Sequence, residues 1–245
     1  MGNHDDSAGF NSTYDYATYG SGRSWFGGSY QSGKLDHTYW FVDAGDRDYL
    51  VFSLGWMPTV SVLSWAEGIL QQHPDKHVIV TVHAYMNSNG ALLSKADFGI
   101  AGLFPQIPDG QQIWDTFKKY ENVVLMMSGH VHSEDIVSYV DQNAANKDVA
   151  SLLLDRQNDD TEQKLGTLAI FTFHEDSDTV EVNWYSTKYD AFYREKNQLT
   201  ITVPHTHKCE YETETFEATC TEGAGTIYTC TLCGKSHVEY ESEAL

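Results

Sequence analysis

The chain has 245 residues, 41% of them hydrophobic and 13% aromatic, enough for one sizeable core with a small appendage and too many for a disordered or fibrous protein. Fifteen basic residues stand against 35 acidic ones, and the net charge of −20 argues against a nucleic-acid backbone or an anionic membrane surface as the main partner. No run approaches the roughly 18 apolar residues of a transmembrane helix, and so acidic a surface fits an exported protein, extracellular or at the cell surface.

The second residue already opens a dense polar motif, Gly2-Asn3-His4-Asp5, with no charged-then-apolar signal segment and no strand or helix before it. This leads to the expectation that the sequence lacks its natural start. Residues 1 to about 34 are rich in Gly, Ser, Tyr and Asn and read as loop with little regular structure. Thr38 to Val42 and Tyr49 to Ser53 are strand-like, and Asp43-Ala44-Gly45-Asp46 between them reads as the turn of a β-hairpin. Val62, Leu63, Ala66, Ile69 and Leu70 recur at helical spacing, and that helix should stop before Pro74. A buried strand is expected at His77 to Val82, a second helix at Gly110 to Tyr120 with Ile113, Trp114 and Phe117 on one face, and a strand at Val123 to Met127.

Helix, strand, helix, strand is the pattern of a sheet covered by helices, in which sites form at the carboxyl ends of the strands. Strand-like stretches at Ile136 to Val140, Leu165 to Phe173 and Thr179 to Tyr185 then suggest an antiparallel layer closing the domain. Near Pro204 the composition changes. Residues 205–245 hold all four cysteines and carry two Lys against eight Glu, which places a boundary between a main domain, 1–203, and a Cys-rich module, 204–245.

His83 directly follows the strand Val78 to Val82, and Gly129-His130-Val131-His132 directly follows the strand Val123 to Met127. In an extended segment residues i and i+2 point to one side, so His130 and His132 would aim at one site while Val131 packs away. Imidazole is the commonest protein ligand for Zn, Fe and related ions. One histidine at a strand end is usually a surface or hydrogen-bonded residue; the conjunction of three polar motifs on one sheet edge is what points to a metal site.

In their order, these motifs resemble the calcineurin-like metallophosphoesterases, whose pattern runs D-x-H, G-D-x-x-D, G-N-H-[DE], a lone His and G-H-x-H on a β-sandwich flanked by helices. The last three motifs are present, and the resemblance covers about residues 1–203. It implies an α/β (α+β) fold of that type and a phosphate-ester substrate, hydrolysed at two divalent or trivalent ions of Fe, Zn or Mn. It implies that Asn3, His83 and His130 ligate one ion and His132 the other. His4 would serve the leaving-group oxygen, with Asp5 orienting its ring.

The first two motifs are missing. No D-x-H precedes Gly2-Asn3-His4-Asp5, and the only Gly-Asp, Gly45-Asp46, lies downstream of it and reads as the hairpin turn. A Zn or Fe site normally needs at least three protein ligands. The expectation is therefore a C-terminal part of a phosphoesterase, with Met1 internal, weak ion uptake in the main domain and no metal-dependent phosphatase activity from the sequence as written. The aromatic stretch from Tyr14 to Tyr30 reads either as a lid in which Arg23 pairs with phosphate, or as a loop packing its own rings. Tyr85 and Asn87, just after His83, are better placed to touch a substrate.

In the tail, Cys230-Thr231-Leu232-Cys233 is preceded by Cys209 and Cys220, with His205, His207 and His237 nearby. Four cysteines with a C-x-x-C pair suit a structural zinc site in a segment too short for its own core; two disulfides are the rival reading for an exported protein. The segment also resembles a small ribbon-like repeat of surface and secreted proteins of Gram-positive gut bacteria, in which His207 could replace Cys209. That resemblance implies a module contacting the cell surface or another protein. The alternative to an enzyme is a non-catalytic surface binding protein on the same scaffold. The acidity of the tail disfavours nucleic acid.

Overall fold

The computed structural model describes residues 1–44, 47–98, 104–157, 166–174, 177–204, 210–221, 223–231 and 236–242. It divides into two units, Met1–Thr206 and His207–Leu245.

The first unit is a mixed α/β fold built on a seven-stranded sheet. Its centre is four parallel strands, β3 (Arg47–Leu54), β4 (His77–Val82), β5 (Val123–Ser128) and β7 (Asp148–Leu153). Their sequences are almost continuously apolar because both faces of a parallel sheet are covered. Antiparallel strands extend it on both sides: β1 (Phe26–Ser29) and β2 (His37–Ala44) next to β3, and β6 (Val137–Gln142) next to β7.

On one face, Phe52, Val80 and Met126 stand side by side in register beneath the helices α3 (Val60–Gln72) and α4 (Gly110–Phe117). The five residues at helical spacing, Val62 through Leu70, are the buried stripe of α3. Thr59 caps the helix by accepting from the Val62 N–H, and the helix stops before His73-Pro74 because the residue ahead of proline is pushed out of helical conformation. Asp109 starts α4 in a reciprocal box: its carboxylate accepts from Gln112 N at 2.9 Å, and Gln112 Oε1 accepts from Asp109 N at 3.1 Å. Asp109→Ala is expected to cost about 1 kcal/mol in a urea unfolding curve, and Asp109→Asn, which keeps an acceptor, clearly less.

On the other face, Ile79, Leu125 and Ala150 in register pack against a second, antiparallel sheet. This sheet contains β8 (Thr167–Phe173), β9 (Thr179–Ser186), β10 (Ala191–Phe192) and β11 (Gln198–Thr202), and contributes Val180, Val182, Trp184 and Ile201. The layers are thus helices, sheet, sheet.

Two expectations need correction. The first 34 residues hold more regular structure than expected: they contain α1 (Ser7–Thr13), α2 (Tyr16–Tyr19) and β1. The short helices start where Asp6 accepts from Ala8 and Gly9 N, and Asp15 accepts from Thr18 N, which satisfies first-turn amides that have no partner within the helix. The strand at 137–142 belongs to the edge of the first sheet, not to the closing antiparallel layer, because it pairs with β7. That β7 had no place in the sequence reading, although its short apolar run after a polar stretch is the signal of a fully buried strand. The hairpin of β2 and β3 is present, and its turn residues Gly45 and Asp46 lie outside the described residues.

The second unit holds an antiparallel sheet of β12 (Tyr211–Phe216), β13 (Gly225–Cys230) and β14 (Ser236–Tyr240). Cys230 ends β13 and is buried; Cys220 is exposed. Cys209, Cys233, His205, His207 and the side chain of His237 lie outside the described residues. Among the described residues, no helix is long and apolar enough to cross a membrane.

Candidate functional site

The carboxyl ends of the parallel strands are tied to one another and to the N-terminal loop by backbone hydrogen bonds. Trp56 N donates to Met1 O (3.0 Å), Gly55 N to Asp36 O (3.1 Å), His83 N to Leu54 O (3.2 Å), Gly129 N to His83 O (3.1 Å) and Leu154 N to Ser128 O (2.8 Å). Strand order therefore brings residues 1–5, His83 and Gly129-His130 to one edge.

There Asn3 Oδ1 lies 3.0 Å from His83 Nε2. Gly2 is required for that approach, because a Cβ at this position would stand 2.8 Å from His83 Cε1. The His83 and His130 rings are 5.2 Å apart between centroids, and Trp56 packs against both, at 5.5 Å and 4.7 Å. His130 has a φ of +69°, so the segment turns instead of continuing the strand, and the i, i+2 argument that paired it with His132 does not apply. Val131 packs on the helix-side core.

Burial pushes the His83 imidazole down to about 4, the neighbouring His130 adds to this, and the charges of Asp155 and Asp5 oppose it. Burial lowers His130 too, against the pull of Asp155, with His4 adding to the lowering. Both rings are consequently neutral at neutral pH, as a metal ligand must be.

A cavity of about 800 Å³ adjoins this cluster and is lined by Asn3, His4, Asp5, His83 and Gly129. Its floor is one row of the sheet, Thr38, Ser53, Thr81 and Met127, which are register partners on neighbouring strands. Phe10, Tyr14, Tyr19 and Trp40 form an aromatic wall.

His4 lines the cavity. Asp5 is engaged by the loop itself: its Oδ2 accepts from Gly2 N at 2.7 Å, where the orientation of His4 had been expected. Arg23 donates from Nε to Thr18 O at 3.0 Å, which holds the end of α2, and it is not among the residues lining the cavity. Tyr85 is not a substrate contact: it is 2% exposed in the helix-side core, and burial raises its phenol well above the usual range. Asn87 builds a turn, with its N–H on Ala91 O and its Oδ1 accepting from Ser88 N.

Asn3 Oδ1 and His83 Nε2 are spaced like adjacent ligands of one ion with bonds of about 2.0–2.1 Å. His130, with its ring centroid 5.2 Å from that of His83, would complete a donor set of two imidazole nitrogens and one amide oxygen, a chemistry that suits Zn, Fe or Mn. Among the described residues, however, no three His, Cys, Asp or Glu side chains gather around one point to hold a metal.

The same edge carries a pH-sensitive support. His37, at the start of β2, accepts from Gly55 N at its Nδ1 (3.1 Å), and burial holds its imidazole down to about 4, against the pull of Asp36. The unfolded chain, with an imidazole near 6.5, then binds the proton more readily than the fold between about pH 6.5 and 4. Stability from this residue is present above that window and is lost as the pH falls through it, by at most about 3 kcal/mol. Urea midpoints at pH 7 and pH 4.5 should differ less in His37→Asn, whose Oδ1 can accept from Gly55 without titrating.

No protein-family model matches the chain. It is similar to a protein of Bacillus subtilis (strain 168) described as the uncharacterized protein YvnB, with 28% identity over 166 residues, 66% of this chain. The match covers 12% of that protein's length.

Proposed function

We propose that the main domain carries part of the centre of a metal-dependent phosphoester hydrolase of the calcineurin-like type. The observation that supports this most is the convergence of Asn3, His83 and His130 at one sheet edge beside an open cavity. When bound, metal ions in such a centre polarise the phosphoryl oxygens and activate water near neutral pH.

The chain's own residues would do the rest. Asn3, His83 and His130 hold one ion, and on the resemblance His132 serves the second. Gly2 and Trp56 fix the rings of the cluster. His4, on the cavity wall, is placed to give a proton to the departing ester oxygen as water adds to phosphorus and the phosphorus–oxygen ester bond breaks. The aromatic wall would receive the organic part of the ester. The tail is assigned a stapling role, by zinc or by disulfides, in a module that contacts the cell surface or another protein, and the protein is placed outside the cell.

The test is hydrolysis of p-nitrophenyl phosphate and bis(p-nitrophenyl) phosphate with added Mn²⁺ or Zn²⁺. It is run on the chain as written and on the reading frame continued upstream of Met1. The chain as written should stay near background, and a frame that supplies D-x-H and G-D-x-x-D should turn over both in a metal-dependent way. Robust turnover by the chain as written contradicts the ligand assignment. The absence of any three-residue His, Cys, Asp or Glu cluster among the described residues favours a second reading, a binding protein on this scaffold. That reading prevails if the upstream frame lacks the two motifs.

A further inference from the structure

The donor set at the edge has no carboxylate, so nothing in it balances the charge of an ion. Three aspartates lie nearby. Asp5 Oδ2 is engaged by Gly2 N, and both oxygens of Asp36 accept from Ser7 Oγ, with Asn11 Nδ2 on Oδ1 as well. The third, Asp155, leaves the sheet just after β7, where Leu154 N is bonded to Ser128 O.

Asp155 is built into the turn that carries His130. Its carbonyl accepts from Ser133 N (3.2 Å), its Oδ1 accepts from Gln157 N (3.1 Å), and Gln157 Nε2 donates to His130 O (3.5 Å). Its other oxygen, Oδ2, lies against the glycine that precedes His130, 3.4 Å from where a Cβ at Gly129 would stand. The short segment from Asp155 to Gln157 thus grips residues 129–133 from the neighbouring strand and leaves Oδ2 beside the glycine that precedes His130.

We propose that Asp155 is the carboxylate of the Asn3–His83–His130 site, a positioning residue that supplies the missing negative charge and, with Gln157, fixes the turn that presents His130. Residues of this kind around metal ligands typically govern affinity by 10–100-fold. The inference rests on the metal-site reading given above.

The experiment titrates the full chain with Co²⁺ alone and follows the visible bands. A nitrogen–oxygen site is separated in this way from the tail, whose thiolates give intense sulfur-to-metal bands in the near ultraviolet. Asp155→Asn keeps the shape and an oxygen for Gln157 N but removes the charge; it should weaken Co²⁺ at the nitrogen–oxygen site by about 10–100-fold with an unchanged melting temperature. Asp155→Glu should recover most of the loss. Unchanged affinity in Asp155→Asn, while His83→Ala abolishes the bands, overturns this inference alone. A parent chain without nitrogen–oxygen bands overturns both this inference and the reading beneath it.

Discussion

Phe52→Ala is expected to lower the stability of the main domain by about 3–5 kcal/mol, the usual cost of emptying a large buried aromatic site. Phe52 is 0% exposed and lies at the centre of β3, on the face turned to the helices. Its ring is 6.0 Å from both Trp65 of α3 and Phe117 of α4, and 6.2 Å from Tyr39 of β2. Three separate elements are therefore held to the sheet through one side chain. The parallel neighbour Val80 is fixed by register and cannot close the gap. Urea unfolding followed by far-ultraviolet circular dichroism measures the loss. Val42→Ala, at a 45% exposed position of β2, should stay within about 0.5 kcal/mol. The consequence reaches the site, because β3 ends at Leu54, whose carbonyl accepts from His83 N, two residues before Trp56, whose N–H donates to Met1 O.

What the sequence showed and what it hid follow from the range of the interactions involved. The α3 stripe, the strands on either side of it and the position of His83 and His130 at strand ends were legible because periodicity and a following polar residue are local signals. Asp155 was not legible. It owes its place to β7 pairing with β5 instead of joining the closing layer, a choice made by long-range burial, and no motif spacing marks it. Tyr85 misled for the converse reason: two residues past a candidate ligand, it turns into the core, where its ring joins Met86 and Phe117. The helices of the first 20 residues were missed because aspartate caps make short helices out of Gly- and Ser-rich sequence that has little helical propensity of its own. The positive φ of His130 is equally invisible in sequence, since glycine, the residue that favours it, stands one place earlier.

His83→Ala is expected to abolish most Co²⁺ uptake at the sheet edge, by a factor on the order of 100 or more, above the range for residues that only support a ligand. The substitution removes the nitrogen facing Asn3 Oδ1 and one of the two rings that Trp56 holds, so a single change strips a ligand and frees its neighbours. The pH dependence of the parent separates this site from an ordinary surface histidine pair. Binding requires a neutral ring, and burial has already pushed the His83 imidazole down to about 4. Proton competition at His83 should therefore stay weak from pH 8 to about pH 5 and become strong only as the pH falls toward 4, whereas a ring near 6.5 would lose most of its competence by pH 5. Co²⁺ titrations at pH 7.5, 6 and 5 provide the measurement. A tenfold loss of affinity for each pH unit between 6.5 and 5 would mean that water reaches His83 or His130 freely, and the buried edge that brings them to Asn3 would then not be the form that binds the ion.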